Sequence, residues 1–165
     1  MDRVVGVMKA FSTCVGEGPF VTSMDDAEAA ELRETAREFG ATTGRPRSIG
    51  HFDAVASRYG VRVQGATELA LTKLDSLSGR SELKICTHYK VDGQLTQDFP
   101  LTSKLYKAEA VYETLPGWTE DVTGCRDFND LPVTAQRYVM RIEELVGCPV
   151  KCVSVGPERD QLMLR

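Results

Sequence analysis

The stretch from Pro132 to Pro157 constrains the fold most. Pro132 stands near the start of a helical segment and Gly147 just past its end, the usual asymmetry of helix punctuation. Between them Tyr138, Ile142, Leu145 and Val146 recur at helical spacing and form one apolar stripe. An apolar run, residues 150–155, follows almost at once and is closed by Gly156-Pro157. A helix that feeds directly into a buried strand is the repeating unit of an α/β fold.

The same alternation runs back through the chain. Val4, Val5, Val7 and Met8 predict a buried strand that begins almost at the first residue, which hints at a part of something larger. Gly16-Glu17-Gly18-Pro19 breaks it. Asp25 and Asp26 then open a helix running to about Phe39, with Ala29, Leu32, Ala36 and Phe39 on its apolar face. Glu28, Glu31, Arg33, Glu34, Arg37 and Glu38 are expected on its solvated face. Gly40 ends it. A second helix is predicted from Asp53 to about Gln64, and a buried strand over residues 69–75. Residues 83–91 and 94–99 flank Asp92-Gly93 and predict a hairpin. A short strand over 111–115 is expected to give way to a loop through Pro116-Gly117-Trp118. The expected class is α/β: a mainly parallel sheet with flanking helices and an inserted antiparallel hairpin. A length of 165 residues predicts a single domain, 1–165, around one core.

Several classes of function are set aside by composition. A formal charge of -4 excludes a generally basic nucleic-acid binder. No apolar run approaches the roughly 18 residues that a bilayer requires. Met1-Asp2-Arg3-Val4-Val5 lacks the pattern of a secretory signal. The five cysteines are odd in number, irregularly spaced and without a C-x-x-C, which predicts reduced thiols in a cytoplasmic protein. His51 and His88 are far apart and neither lies near paired cysteines, so no structural metal is expected.

Three segments could carry chemistry. Thr42-Thr43-Gly44-Arg45-Pro46-Arg47 offers two hydroxyls, a flexible glycine and two planar guanidinium forks, all suited to an anion. Its other reading is a polar loop with solvated arginines. Lys73-Leu74-Asp75 closes an apolar strand, where ligands of α/β sheets bind. An aspartate there can accept from the adjacent N–H and NH2 groups of guanine while a lysine stem lies along the purine face. Alternatively Asp75 caps the turn at residues 76–79 and Lys73 is solvated. Small residues at Ser154-Val155-Gly156 would let a flat ring approach the backbone, or simply form a turn. No phosphate loop of the G-x-x-x-x-G-K-[ST] type and no Ser/His/Asp set accompanies them. The chain reads as a binding half without a catalytic half.

Those segments, in order, resemble adenylosuccinate synthetase. The strings carrying the resemblance are residues 15–20, 38–47, 71–75, 112–118, 141–145 and 154–159, which span nearly the whole chain and match only the C-terminal part of the family. The resemblance implies a P-loop-NTPase-like fold lacking its phosphate loop here. It implies a ligase of purine and AMP biosynthesis that joins IMP to L-aspartate using GTP and Mg2+. The catalytic residues and magnesium ligands are then expected in a missing N-terminal half. Residue by residue, it implies that Ala41, Thr42, Thr43, Gly44, Arg45, Pro46 and Arg47 bind aspartate. Val15 and Arg45 are implied to contact IMP, and Arg47, Lys73, Leu74, Asp75, Ser154, Val155 and Gly156 to contact GTP. It also implies a homodimer when intact.

Three positions depart from the family's common residues: Cys14 and Ser48 each replace an arginine, and His51 a tryptophan. The leading expectation is the C-terminal, substrate- and GTP-binding part of such a ligase, inactive alone. A non-catalytic guanine-nucleotide-binding module and a decayed remnant without ligand are the alternatives.

Overall fold

The computed structural model describes residues 2–165. Along the chain run β1 (Val5–Lys9), β2 (Ser12–Cys14), α1 (Asp26–Ala36), β3 (Ser48–Gly50), β4 (Phe52–Asp53), α2 (Ala54–Gln64) and β5 (Glu68–Thr72). They are followed by β6 (Arg80–Val91), β7 (Gln94–Thr96), α3 (Thr102–Leu105), β8 (Glu109–Trp118), α4 (Val133–Val146), β9 (Val150–Ser154) and β10 (Leu162–Leu164). The class is α/β, as expected.

The first sheet has the order β1-β5-β9-β10. β1, β5 and β9 are parallel, and only β10 runs against its neighbour. Their carboxyl ends therefore lie along one edge. Leu69, Leu71, Val150 and Val153 are all at most 1% exposed, but they alternate with half-buried or exposed residues, so the sheet buries one face. Val5 and Val7 are exposed, so β1 is not the buried strand that the sequence predicts. α4 packs Ala135, Tyr138, Val139, Ile142, Leu145 and Val146 into the same core. The fully buried Tyr138 hydroxyl donates to the carbonyl of Ala10 at 2.8 Å. That carbonyl lies just past β1, while the Ala10 N–H donates to Thr72 at the end of β5. One tyrosine thus anchors the strand-end edge to α4.

A second sheet is built on β6, which pairs with β4 in parallel and with β7 and β8 antiparallel. The predicted turn is present, with Asp92 and Gly93 at φ 49° and 82° as a primed hairpin requires. β8 is longer than predicted. Pro116-Gly117-Trp118 is not a loop but continues the strand, opposite residues 80–82 of β6. Proline is tolerated on the unpaired side of a strand. Gly117 is needed because a Cβ there would lie 2.1 Å from the Arg80 carbonyl oxygen.

α1 is shorter than predicted. It stops at Ala36, and Arg37 turns left-handed at φ 52° with its N–H donating to the Arg33 and Glu34 carbonyls. Glu38 is consequently not on a solvated helix face but fully buried. Neither are Glu28 and Arg33 free: Glu28 binds Arg80 at 3.0 Å, and Arg33 donates to the Arg47 carbonyl at 2.7 Å. His51 lies just ahead of α2. It is buried between β3 and β4, edge-on to Tyr112 at 5.0 Å. Burial, with Lys84 and Arg80 nearby, holds its pKa down at about 4.

Candidate functional site

β5 ends on Thr72, and the chain then turns sharply. Lys73 adopts φ 61°, left-handed and uncommon for a side-chain-bearing residue. This turn sends Leu74 into the core at 0% exposure and leaves Lys73 and Asp75 on a cleft. The cleft measures about 580 Å3. One wall is residues 35–37 at the end of α1; the other is formed by Thr72, Lys73, Asp75 and Ser76 at and past the end of β5, with Ser154, Gly156 and Pro157 at and past the end of β9 closing it. It lies where the carboxyl ends of two adjacent parallel strands meet, the usual ligand position in such sheets.

Lys73, Asp75, Ser154 and Gly156 therefore come together as expected from the sequence. Leu74 and Val155 do not contribute side chains, because both are buried in the core at 0% exposure. Their amides are committed as well, Leu74 to the Ser154 carbonyl and Val155 to the Gln161 carbonyl. Ser154 donates its hydroxyl to the Gly156 carbonyl at 2.8 Å. Gly156 is small for a reason other than ligand approach. A Cβ there would lie 2.0 Å from Oε1 of Gln161, which fills the space behind it.

Asp75 is the most informative residue of the cleft. Its Oδ1 is buried and has no hydrogen-bond partner among the described residues. It is not a turn cap: the short turn over 75–77 closes by backbone bonds, Leu77 N–H to Leu74 and Ser78 N–H to Asp75. Burial pushes its carboxyl up from the ordinary carboxylate range, helped by Asp121 and opposed by its own N–H and Lys73. Asp75 lines the open cleft, and a carboxylate there with an oxygen left unpartnered among the described residues is suited to a ligand carrying N–H donors. Lys73 is not solvated either. Its ammonium donates to the Ala36 carbonyl at 2.6 Å and to Glu38 Oε1 at 2.7 Å.

The arginine segment forms a tight exposed turn. Phe39 and Pro46 bridge across it, and Gly40 exchanges bonds with Arg45 and Gly44 at 2.8 Å each. Gly44 takes φ 63°, which glycine allows without strain. Thr43 Oγ1 accepts the Arg45 N–H, so one of the two hydroxyls shapes the turn. The two arginines differ. Arg45 is exposed, with no side-chain partner among the described residues, whereas Arg47 is half-buried and its Nη1 binds Glu38 Oε2. The Nε of Arg47 is buried and has no partner among the described residues. Ala41, Thr42 and Pro46 are exposed.

Val15 lies on the exposed loop after β2. The β2–β3 register places Cys14 opposite Ser48, which brings Val15 to the end of the arginine turn. The same register makes Cys14 and Ser48, two of the three positions expected to depart from the family, cross-strand partners.

Sequence reasoning missed Glu38 and Lys9. Glu38 is fully buried and receives Lys9 Nζ at 2.8 Å, Lys73 Nζ at 2.7 Å and Arg47 Nη1. Burial pushes its carboxyl up, but the hydrogen bonds from Lys73, Lys9 and Arg47 outweigh this and hold the pKa at about 2. Burial lowers the pKa of Lys9, partly offset by Glu38. Three cations around one carboxylate leave two positive charges in excess. The available signal was positional: Lys9 and Lys73 each stand at the end of a strand.

The profile of the adenylosuccinate synthetase family matches residues 1–163. The chain belongs to that family. It is 52% identical to an adenylosuccinate synthetase of Brevibacillus brevis over 165 residues, which is 99% of this chain and 39% of the relative. An adenylosuccinate synthetase of Mycobacteroides abscessus is also 52% identical, with 100% of this chain and 38% of the relative covered. A structure described as fully ligated adenylosuccinate synthetase from Plasmodium falciparum superposes with a TM-score of 0.95 at 35% identity, over 100% of this chain and 40% of that one. The chain thus spans about two-fifths of the length of the relatives it matches. The family is one of ligases of purine biosynthesis.

Proposed function

We propose that this chain is the C-terminal substrate- and GTP-binding part of an adenylosuccinate synthetase, and that it is inactive by itself. The intact enzyme would convert IMP, L-aspartate and GTP to adenylosuccinate, GDP and phosphate in the cytoplasm as a homodimer. The observation that carries the reading is the Asp75 carboxylate, which lines the cleft beyond β5 and β9 with its Oδ1 unpartnered among the described residues. A guanine ring presents an N–H and an NH2 side by side, and a carboxylate can accept from both. Adenine presents an acceptor at the first position and no amine at the second, which would leave the carboxylate unpaired. Ser154 and Gly156 form the opposite lip.

The arginine turn supports the second half of the reading. Arg45 holds out an uncommitted planar fork, suited to a carboxylate of the aspartate substrate and to the IMP ribose. Arg47 and the hydroxyl of Thr42 would complete that grip, with Val15 bordering IMP. No three His, Cys, Asp or Glu side chains converge among the described residues. The magnesium ligands and the acid–base groups belong, on this reading, to the sequence outside this chain.

The test is calorimetric titration of the 165-residue chain with GDP, IDP and ADP. The expected order is GDP tightest, IDP next and ADP weakest, with about tenfold for each lost donor. ADP binding as tightly as GDP, or no binding of any of the three, would overturn the assignment. Adenylosuccinate formation by the isolated chain would overturn its inactivity.

A further inference from the structure

Glu38 occupies an unusual place in the molecule. It sits between the arginine turn and the cleft and belongs to neither. Its Oε2 is taken by Arg47 of the turn. Its Oε1 is shared by Lys73 of the cleft at 2.7 Å and Lys9 of β1 at 2.8 Å. Lys73 in turn reaches the Ala36 carbonyl on the facing wall, so its ammonium straps the end of β5 to the end of α1. The left-handed backbone of Lys73 is a conformation that such a residue keeps only when its surroundings enforce it. Glu38 and Ala36 are the partners that fix its head.

We propose that Glu38 is a positioning residue that couples the arginine turn to the purine cleft, so that a ligand drawing on Arg47 is felt at Lys73 and the reverse. A buried carboxylate has few acceptor sites, and here three cations share them. An anion that pulls Arg47 outward releases Oε2, and the carboxylate then turns toward the two ammonium groups. Lys73 is drawn in, and the two walls that it spans change their separation. In reverse, a base lying along the Lys73 stem fixes the carboxylate and with it the guanidinium of Arg47. Coupling of this kind is reciprocal by necessity. The inference rests on the cleft being a nucleotide site.

The experiment is a cycle in the 165-residue chain: wild type, Glu38→Gln, Arg47→Met and the double variant. GDP is titrated into each by calorimetry. The side-chain ammonium of Lys73 is followed by 15N NMR without nucleotide. Arg47→Met is expected to change GDP affinity about tenfold when Glu38 is present and less than about twofold in the Glu38→Gln protein. The Lys73 ammonium signal is expected to move with Arg47→Met only when Glu38 is present. Equal effects of Arg47→Met on GDP affinity in both backgrounds overturn the proposal, even if the ammonium signal moves, because the cluster would then be structural alone. An ammonium signal indifferent to Arg47→Met overturns it as well. A wild-type chain that binds no GDP fails the nucleotide reading itself, and the NMR comparison alone then decides the coupling. Should Glu38→Gln not fold, the cycle is run with Glu38→Asp, which keeps the charge but withdraws it from bridging Arg47 and Lys73.

Discussion

Replacing Asp75 by alanine should stabilise the chain while weakening its hold on GDP. Among the described residues nothing hydrogen-bonds Oδ1, which is buried, so folding strips that oxygen of water without compensation. Such a penalty is about 1–3 kcal/mol. Burial accordingly raises the Asp75 pKa despite the proximity of Lys73. The backbone bonds that hold the turn, from Leu77 and Ser78, survive the change. The residue faces an open cleft, so no closed void is created. A gain of about 1–3 kcal/mol in a domain of this size raises the melting temperature by roughly 2–12 °C. The nucleotide should respond in the opposite direction. Losing even one charge-assisted bond from the guanine edge is worth about 1.5–3 kcal/mol, or about 10- to 150-fold in affinity. Differential scanning calorimetry without ligand and titration with GDP measure the two effects on one sample. A lowered melting temperature would show that Oδ1 has a partner in the folded chain. An unchanged GDP affinity would remove Asp75 from the base site.

Four further outcomes are expected. Because the folded-state pKa of Glu38 is about 2 against an ordinary 4.5, the unfolded chain takes up a proton that the folded chain refuses. Stability from this group is therefore complete above about pH 4.5 and lost as the pH falls toward 2, and urea unfolding of Glu38→Gln should show a flatter acid limb, with a loss near neutrality of about 3–5 kcal/mol. Asp75 has the opposite sign: its raised pKa means that the ligand-free chain loses stability as the pH rises through it, while GDP binding, which uses the charged carboxylate, strengthens over the same interval. Tyr138→Phe leaves the Ala10 carbonyl unpaired in the core and should cost about 1–3 kcal/mol by chemical denaturation, with GDP affinity little changed. In a full-length synthetase carrying this segment, Arg45→Lys should raise the Michaelis constant for aspartate about 5- to 150-fold and that for GTP far less, as steady-state kinetics would report.

What could be read from the sequence was local. The α4 boundaries follow from Pro132 and Gly147, and the β6–β7 hairpin from Asp92-Gly93, because these residues impose their own backbone conformations. The cleft was legible for a related reason. Lys73, Asp75, Ser154 and Gly156 each stand at or just past the end of an apolar run, and parallel strands bring their carboxyl-terminal turns to one edge of the sheet. Other features were set by tertiary context. Pro116 and Gly117 carry loop chemistry, yet an unpaired strand side tolerates the first and a close approach of Arg80 demands the second. Glu38 looked like one more charge on an acidic helix. Its burial is decided by Lys9, Arg47 and Lys73, of which Lys9 ends β1 and Lys73 follows β5, both remote from it in sequence. Composition also could not separate Arg45 from Arg47, since only the fold commits one and leaves the other free.

The contact between Gly156 and Gln161 restricts the order in which this lip of the cleft can evolve. The amide of Gln161 is held from both ends, donating to the Thr123 carbonyl at 3.1 Å and accepting from the Glu158 N–H at 3.1 Å. It cannot swing away cheaply when a side chain grows at position 156, where a Cβ would meet it at 2.0 Å. Any larger residue at 156 must therefore wait for a smaller one at 161. The smaller residue gives up both amide bonds, and with them the tie between this lip and the loop around Thr123. The two positions form an epistatic pair in which one order of substitution passes through a clash and the other through a loosened rim. A lineage seeking a different base preference at this lip has to cross one of those intermediates.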